Sequence, residues 1–179
     1  MFDLLYACAV GDEATAAHCL RRAASGCLRE VARTCGRGRS PLHVAILGGN
    51  GHLVPLLLRA GAACDAQDRD GVTAAMFAAQ RELPDALAAL ISAGANLQLR
   101  ARDGSVALHC AARSGNTAAI TQLLQAGCPL HTVDLLGNTP LHEACGNGHV
   151  EAAHLLLQAG ASANSGACAM RRVSSPSDA

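Results

Sequence analysis

Apolar residues recur in two alternating kinds of short segment along most of this chain. The first kind opens on a small polar residue and continues with a compact apolar run, as in Ser40 followed by PLHVAIL. The second kind carries its apolar residues at helical spacing, as in Leu53, Val54, Leu57 and Leu58. This spacing follows the period of a helix and not the alternation of a strand. The pattern therefore predicts pairs of short helices and an all-α architecture.

Each pair of segments is one copy of a 33-residue unit. Four glycines are spaced by 33 residues, and four more follow them at a constant distance of 23 residues: Gly38, Gly71, Gly104 and Gly137, then Gly61, Gly94, Gly127 and Gly160. A period of this length indicates a solenoid, in which no unit buries its own hydrophobic face and successive units stack. The function of such a chain is expected on an extended surface.

The predicted helices have recognisable ends. Three copies begin with a hydroxyl residue that can act as an N-cap, and two continue with proline at the first helical position: Ser40, Thr73, Thr139, Pro41 and Pro140. The remaining copy has Val106 at the cap, which predicts a first helix that is less firmly started, by about 1 kcal/mol. The glycines that close each unit are expected at the C′ position, where a left-handed residue is favoured.

Two motifs carry a resemblance to a known family. The copies read GRSPLHVAILGG from Gly38 and GNTPLHEACGNG from Gly137, with looser versions from Gly71 and Gly104. The second half of the last copy reads GHVEAAHLLLQAGA over residues 148–161. These motifs resemble the ankyrin repeat over most of the chain. The resemblance implies a solenoid of helix-turn-helix units with β-hairpin loops, which works by binding other proteins and not by catalysis.

The repeat register divides the chain into six parts. These are a degenerate N-terminal repeat with an irregular connection (1–34), four repeats (35–67, 68–100, 101–133 and 134–164) and a tail (165–179). We expect a helix over about 13–22 and irregular backbone within 23–37, which includes Cys27 and Cys35. The tail has no period and little to bury, so we expect it to be disordered.

Three departures from the repeat predict weak points. Pro55 falls inside the second helix of its unit, where proline costs roughly 3 kcal/mol if uncompensated. The unit 68–100 is eroded, with Ala74-Ala75-Met76 for Pro-Leu-His and Glu82-Leu83 for the inter-helix Gly-His. The last helix lacks the polar outer face of a capping repeat. Either the chain is a truncated or alternatively ended form of a longer array, which we favour, or something covers that face.

Composition places the chain among globular proteins. Half of the residues are hydrophobic, 16% are charged and the formal net charge is zero; this balance is not that of a disordered chain. The N-terminus has no basic-then-apolar leader, and no apolar run approaches the roughly 20 residues of a membrane span. We therefore expect no membrane association.

The nine cysteines are scattered and contain no CxxC pair. Cys64, Cys110, Cys128 and Cys145 replace small residues of sister copies, which indicates small core residues in a reducing compartment, the cytoplasm or the nucleus. All fourteen basic residues are arginine. Codon bias in a GC-rich genome and selection against lysine-directed ubiquitination both explain the absence of lysine, and one sequence does not separate them.

The sequence predicts no catalytic site, no metal and no cofactor. On the family resemblance, His43, His109 and His142 are structural and tie neighbouring loops by hydrogen bonds. The helical set His142, Cys145 and His149 lacks a fourth zinc ligand and a recognised spacing. No glycine-rich phosphate loop is present, so we expect no small-molecule substrate. Aromatic stacking residues and net positive charge are also lacking, which argues against nucleic acid.

The family resemblance places the partner-binding residues on the hairpins and on the ends of the first helices, which form a concave face. Carried over by register, the candidate residues are Arg37, Arg39, Leu47, Arg69, Asp70, Val72, Gln80, Arg81, Arg100, Arg102, Asp103, Arg113, Leu135, Leu136 and Asn138. Seven of the fourteen arginines fall in this set against two acids. The set predicts a basic stripe that grades into an apolar end at Leu135 and Leu136.

We therefore predict a non-enzymatic scaffold or adaptor whose protein partner has an acidic or phosphorylated segment, bound by bidentate arginine contacts. The alternatives are that the hairpin arginines are only solvated charges, or that the chain is a fragment of a longer adaptor, such as a ubiquitin-ligase substrate receptor, without its effector domain. Two weak modification signals remain: Ser174 after Arg171-Arg172 fits a basophilic kinase site, and Asn164 resembles the asparagine that ankyrin proteins often have hydroxylated.

Overall fold

The computed structural model describes residues 4–24 and 34–161. Within these ranges the chain forms ten α-helices and one short 3-10 helix, Gly51–Leu53. In chain order the α-helices are α1 (Leu4–Val10), α2 (Glu13–Ala24), α3 (Pro41–Leu47), α4 (Val54–Arg59), α5 (Ala74–Gln80), α6 (Pro84–Ser92), α7 (Ala107–Ser114), α8 (Thr117–Gln125), α9 (Pro140–Gly146) and α10 (Val150–Gln158).

The helices are arranged in two layers. The first helices of successive pairs, α1, α3, α5, α7 and α9, pack side by side, and α4, α6, α8 and α10 pack against them as a second layer, while α2 packs on α1. A hairpin loop precedes α3, α5, α7 and α9, and strand pairing in the described ranges is limited to one bridge, between Gln67 and Thr73. The predicted all-α solenoid is confirmed.

The core lies between the layers and between neighbouring pairs. Both layers contribute its largest fully buried side chains: Leu4, Leu42, Ile46, Leu53, Leu57, Met76, Leu87, Leu90, Leu108, Ile120, Leu123 and Leu156. Full burial of one such side chain stabilises the fold by about 1.5–3 kcal/mol. Small buried residues such as Ala78, Ala79, Ala111 and Ala112 separate them. Because alanine occupies little volume, the first helices can approach closely without leaving cavities.

The predicted side-chain caps are confirmed for Thr73 and Thr139, whereas Ser40 makes no cap hydrogen bond through its side chain. Thr73 Oγ1 accepts a hydrogen bond from Met76 N at 3.3 Å, and Thr139 Oγ1 accepts one from His142 N at 3.4 Å. Ser40 stands at the same position, but its own backbone N–H donates to His43 Nδ1 at 3.1 Å. Val106 has no acceptor in its side chain, yet its N–H donates to His109 Nδ1 at 3.3 Å. The histidine thus secures one half of the cap where the hydroxyl is missing.

The expectation for Pro55 is wrong. The segment begins with the 3-10 turn Gly51–Leu53, and α4 begins only at Val54, so Pro55 lies in its first turn. The N–H groups of a first turn have no intrahelical acceptor, so a proline removes no hydrogen bond there. The consequence is a shorter helix: α4 has six residues, whereas α6, α8 and α10 each have nine.

The loops that join the two helices of a pair require a left-handed residue. Gly49, Gly115 and Gly148 have φ values of +78°, +72° and +75° at this place. The eroded unit has Glu82 there instead, with φ of +53°, the only non-glycine residue with positive φ among those described. The closing glycines also have positive φ, as predicted. At Gly61, for example, φ is +84° and Ala62 N donates back to Leu57 O at 3.0 Å.

The N-terminal unit follows the prediction where it can be compared. A helix was expected over about 13–22, and α2 spans Glu13–Ala24. Asp12 precedes it, and the hydrogen bonds from Thr15, first from its hydroxyl, hold the pKa of Asp12 below its usual value. Cys35 lies outside the helices, as expected. Cys27 and the tail 165–179 lie outside the described residues, and the repeat boundaries stay predictions.

Cys35, Cys64, Cys110, Cys128 and Cys145 are free thiols, but not all of them are core residues. Cys128 is buried, Cys64 and Cys110 are half-buried, and Cys145 is exposed. The expectation is therefore wrong for Cys145. Its counterpart one unit earlier, Ala112, is fully buried in the contact between α7 and α9, whereas no described helix follows α10.

Candidate partner-binding surface

The hairpin tips form a continuous row because each one is hydrogen-bonded to the next through the backbone. Arg69 N donates to Arg37 O at 3.0 Å, Arg102 N to Asp70 O at 2.8 Å, and Leu135 N to Asp103 O at 2.9 Å. The contact is close. A Cβ on Gly104, where φ is +81°, would lie 2.8 Å from Leu135 N. Side chains at equivalent positions of neighbouring tips therefore stand next to one another.

Two histidines each tie one hairpin to the first helix of the preceding unit. His43 Nε2 lies 3.0 Å from Val72 O, and His109 Nε2 lies 3.0 Å from Asn138 O. Since Nδ1 of each ring accepts from a backbone N–H, Nε2 is the donor and both rings are neutral. Burial lowers the pKa of His43 and His109 from the usual value. The structural interpretation of these two residues is confirmed. His142 makes the same local contact, since its Nδ1 accepts from Thr139 N at 3.2 Å, but its tie to a neighbouring loop stays a prediction.

Arg100 and Arg113 are engaged within the protein. Arg100 Nη1 donates to Gly104 O at 3.0 Å and to Val133 O at 2.7 Å, so its guanidinium holds two hairpins together. Arg113 forms a bidentate pair with Glu143, through Nε to Oε2 at 2.9 Å and Nη2 to Oε1 at 3.2 Å. This hydrogen bonding is the main reason that the pKa of Arg113 is raised above its ordinary value. The charge of Arg113 is therefore largely compensated.

Arg39 is oriented by two neighbours. Its Cζ lies 5.5 Å from the centroid of the Phe77 ring, and its Nε lies 3.6 Å from Asp68 Oδ2. The Asp68 carboxylate is buried and fixed, because its Oδ1 accepts from the backbone N–H groups of Asp70 and Val72, each at 2.9 Å. Phe77 also meets His43 edge to face, with ring centroids 5.8 Å apart. Arg39 is thus half-buried on the outer side of α5.

The other candidate residues differ in exposure. Gln80, Asp70 and Asp103 are exposed, whereas Leu47, Val72 and Asn138 are half-buried. Besides Arg100, the exposed arginines of the set are Arg37, Arg69, Arg81 and Arg102. Leu135 and Leu136 are 77% and 65% exposed, which places two large apolar side chains together at the last hairpin tip. Ser174 and Asn164 lie outside the described residues.

Sequence reasoning missed one row of this surface. In each first helix a half-buried residue lies about one turn before the helix-end positions that were predicted to bind a partner. These residues are Val44, Phe77, Cys110 and Glu143. These positions are 33 residues apart, so the repeat register contained the signal. Tyr6 of α1 continues the row, because it precedes Gly11 by as many residues as Val44 precedes Gly49, and it is 67% exposed.

The thiols and histidines form no chemical centre among the described residues. Burial raises the pKa of Cys110 and of Cys128 to about 11, so at neutral pH both are protonated and weakly nucleophilic. No group of three His, Cys, Asp or Glu side chains in residues 4–24 and 34–161 is placed to hold a metal ion. In the same part of the chain, no helix has the length and apolarity that crossing a membrane requires.

Stacked helix pairs with hydrogen-bonded hairpins define a helical repeat protein, and the sequence comparison agrees. The family model described as "Ankyrin repeats (3 copies)" matches residues 4–101 and residues 76–167. The chain belongs to the ankyrin-repeat family, a non-enzymatic protein–protein interaction fold. The count of four full repeats and a degenerate first one stays a prediction. A search of curated proteins finds no significant match to this chain.

Proposed function

We propose that this chain is a non-enzymatic scaffold or adaptor module, which binds an acidic or phosphorylated segment of a partner protein through its hairpin and first-helix face. One observation carries this proposal. Arg37, Arg69, Arg81 and Arg102 are exposed, and their guanidinium groups make no hydrogen bond or ion pair with any described residue. The hairpin row holds three of them at neighbouring tips, in a chain without net charge.

Fewer arginines of the predicted basic stripe are available to a partner than the sequence indicates. Arg100 and Arg113 make hydrogen bonds within the protein, so they stabilise the hairpins and helices that form the surface and offer less charge to a partner. Arg69 and Arg102 occupy equivalent positions on adjacent tips, and Leu135 occupies the next equivalent position. A partner segment that runs along the row would meet two arginines and then the apolar pair Leu135 and Leu136. Exposed guanidinium groups suit bidentate recognition of carboxylate or phosphate, and the leucines offer an apolar anchor.

The non-enzymatic part of the proposal is supported by the state of the candidate chemical groups. His43 and His109 use both ring nitrogens in structural hydrogen bonds, and the thiols of Cys110 and Cys128 are kept protonated by burial. We also propose a cytoplasmic or nuclear location, since the free thiols of Cys35, Cys64, Cys110, Cys128 and Cys145 suit a reducing compartment.

Affinity purification with quantitative mass spectrometry tests the proposal. The test variant is R69E/R102E. The matched control is R21E/R59E, which makes the same change of charge at exposed residues of the second helices α2 and α4. Partners captured by the wild type should be lost with R69E/R102E and kept with R21E/R59E, while helical circular dichroism stays the same for all three proteins. If R69E/R102E retains the same partners, the arginine row is not the binding surface.

A further inference from the structure

Arg39 differs from the other arginines of this surface because its guanidinium is oriented by an ion pair and an aromatic ring, while its Nε has no hydrogen-bond partner among the described residues. Its stacking on Phe77 and its position beside the Asp68 carboxylate restrict its orientation. At 3.6 Å, however, the contact of Nε with Asp68 Oδ2 is too long for a hydrogen bond, and both atoms are buried without a hydrogen-bond partner among the described residues. The side chain keeps 26% of its surface exposed. The two terminal nitrogens are not among its buried unpartnered atoms, so the exposed part of the guanidinium is available to an anion.

Two further arginines lie on the same pair of hairpins. Arg37 and Arg39 flank Gly38, and the chain of Arg69 crosses Gly38, with its Cγ 3.3 Å from the place where a Cβ on Gly38 would stand. Arg37 O also accepts the backbone hydrogen bond of Arg69. Because Arg37 and Arg69 are exposed and their guanidinium groups pair with no described residue, their long side chains are free to turn toward an anion at Arg39. The fixed opposing charge within this group is the buried Asp68.

An apolar row runs beside these arginines on the first helices. Tyr6, Val44 and Phe77 occupy equivalent positions on α1, α3 and α5, and the Phe77 ring is in contact with Arg39 itself. In the later units the same position is no longer occupied by a large apolar residue, because Cys110 and then Glu143 stand there. The apolar stretch is therefore confined to the end of the surface where the three arginines lie.

We propose that these residues form a phosphate-recognition site for a phosphorylated side chain that has a large apolar residue at a fixed distance along its sequence; this rests on the proposed function and specifies its partner. A phosphorylated side chain carries a charge of about −1.5 to −2 at pH 7 and three strong acceptor oxygens. It therefore satisfies several guanidinium groups, as a single carboxylate does not. The neighbouring apolar side chain of the partner packs on Val44 and Phe77. Since a lysine has no planar fork and stacks poorly, it cannot replace Arg39.

Three fluorescent peptide libraries test the site: identical degenerate sequences with a central phosphoserine, serine or glutamate. By fluorescence anisotropy, the wild-type chain should bind the phosphoserine library about tenfold more tightly than the serine library, with glutamate in between. Bound phosphopeptides should be enriched in leucine, isoleucine or phenylalanine at one fixed distance from the phosphoserine. Equal affinity for the three libraries overturns the site.

Two variants distinguish specific recognition of the phosphate from attraction by positive charge alone. Arg39→Lys keeps the charge and should reduce the affinity for the phosphoserine library about tenfold, and Phe77→Leu should act in the same direction. Arg59→Lys is the matched control on α4 and should change nothing. Circular dichroism shows whether each variant keeps its helices. Unchanged affinity in a folded R39K protein contradicts the site.

The inference and the proposed function fail separately. Suppose that a partner found by affinity purification depends on Arg69 and Arg102, yet binds equally well after phosphatase treatment and to R39K. The proposed function then stands, and the phosphate site is refuted. Loss of that partner on phosphatase treatment, together with loss in R39K, supports both.

Discussion

Glu82 is the position at which a single substitution should stabilise this protein. It joins α5 to α6 with a φ of +53°, a conformation that its counterparts Gly49, Gly115 and Gly148 adopt as glycines. A left-handed conformation brings the Cβ of an L-residue close to a carbonyl oxygen and costs roughly 1–2 kcal/mol. Glycine removes that cost, and the eroded unit is then restored to the pattern of the others.

The expected increase in the free energy of unfolding is the difference between two opposing contributions. Removal of the left-handed strain contributes roughly 1–2 kcal/mol. The greater freedom of glycine in the unfolded chain takes back roughly 0.5–1 kcal/mol. Glu82→Gly should therefore raise the free energy of unfolding by about 1 kcal/mol, which corresponds to a rise in Tm of about 2–4 °C for a chain of this size.

Urea denaturation followed by circular dichroism measures the effect, and two control variants isolate its cause. Glu82→Ala removes the charge but keeps the Cβ, so its midpoint should stay close to that of the wild type. Gly49→Glu makes the reverse change where φ is +78° and no atom lies within 4 Å of the added Cβ; it should destabilise the fold by about 1 kcal/mol. If Glu82→Gly and Glu82→Ala shift the midpoint equally, the charge and not the backbone is responsible, and the reasoning is refuted.

Two further predictions concern stability. Gly104→Ala should lower the free energy of unfolding by about 3 kcal/mol, because the new Cβ would meet Leu135 N at 2.8 Å, whereas Gly94→Ala, with similar φ and open space, should cost about 1 kcal/mol; equal urea midpoints for the two would contradict the close approach of the hairpins. The pKa values of His43 and His109 are lowered in the folded state. As the pH falls below about 6.5, the unfolded chain therefore binds protons at these histidines before the folded chain does. The stability that is present above that pH is then lost. The urea midpoint should therefore fall between about pH 7.5 and pH 5.5, and less steeply in H43Q/H109Q.

Much of the fold could be predicted because its signals are local and repeated. Thr73 and Thr139 cap helices, and Gly61 ends one, for reasons that operate within a few residues of the chain. Pro55 was misjudged because the sequence does not show where the first α-helical turn begins. The 3-10 turn before Val54 shifts that turn, and the same proline is then harmless.

The position of the candidate surface could be predicted from the sequence, but not which of its arginines are paired within the protein. The repeat register placed seven arginines on the hairpins and helix ends, but it did not show that Arg100 binds two carbonyl groups or that Arg113 pairs with Glu143. The contacts of Arg100 with Val133 and of Arg113 with Glu143 join residues about one unit apart, and they depend on how neighbouring hairpins and helices stack. The outer row with Tyr6 and Phe77 was visible in the register, but the chosen positions began one turn later.

The sequence by itself determined the repeat unit, the paired helices, their caps and the face on which the hairpins lie, because each depends on local backbone preference and on a period that can be counted. Only the tertiary structure decided which charges are free. Whether an arginine serves the scaffold or faces a partner depends on the acceptors that the next unit brings within hydrogen-bond distance. Arg113 forms a bidentate hydrogen-bonded pair with Glu143, whereas Arg39 stacks on Phe77 and forms only a 3.6 Å ion pair with Asp68, without a hydrogen bond.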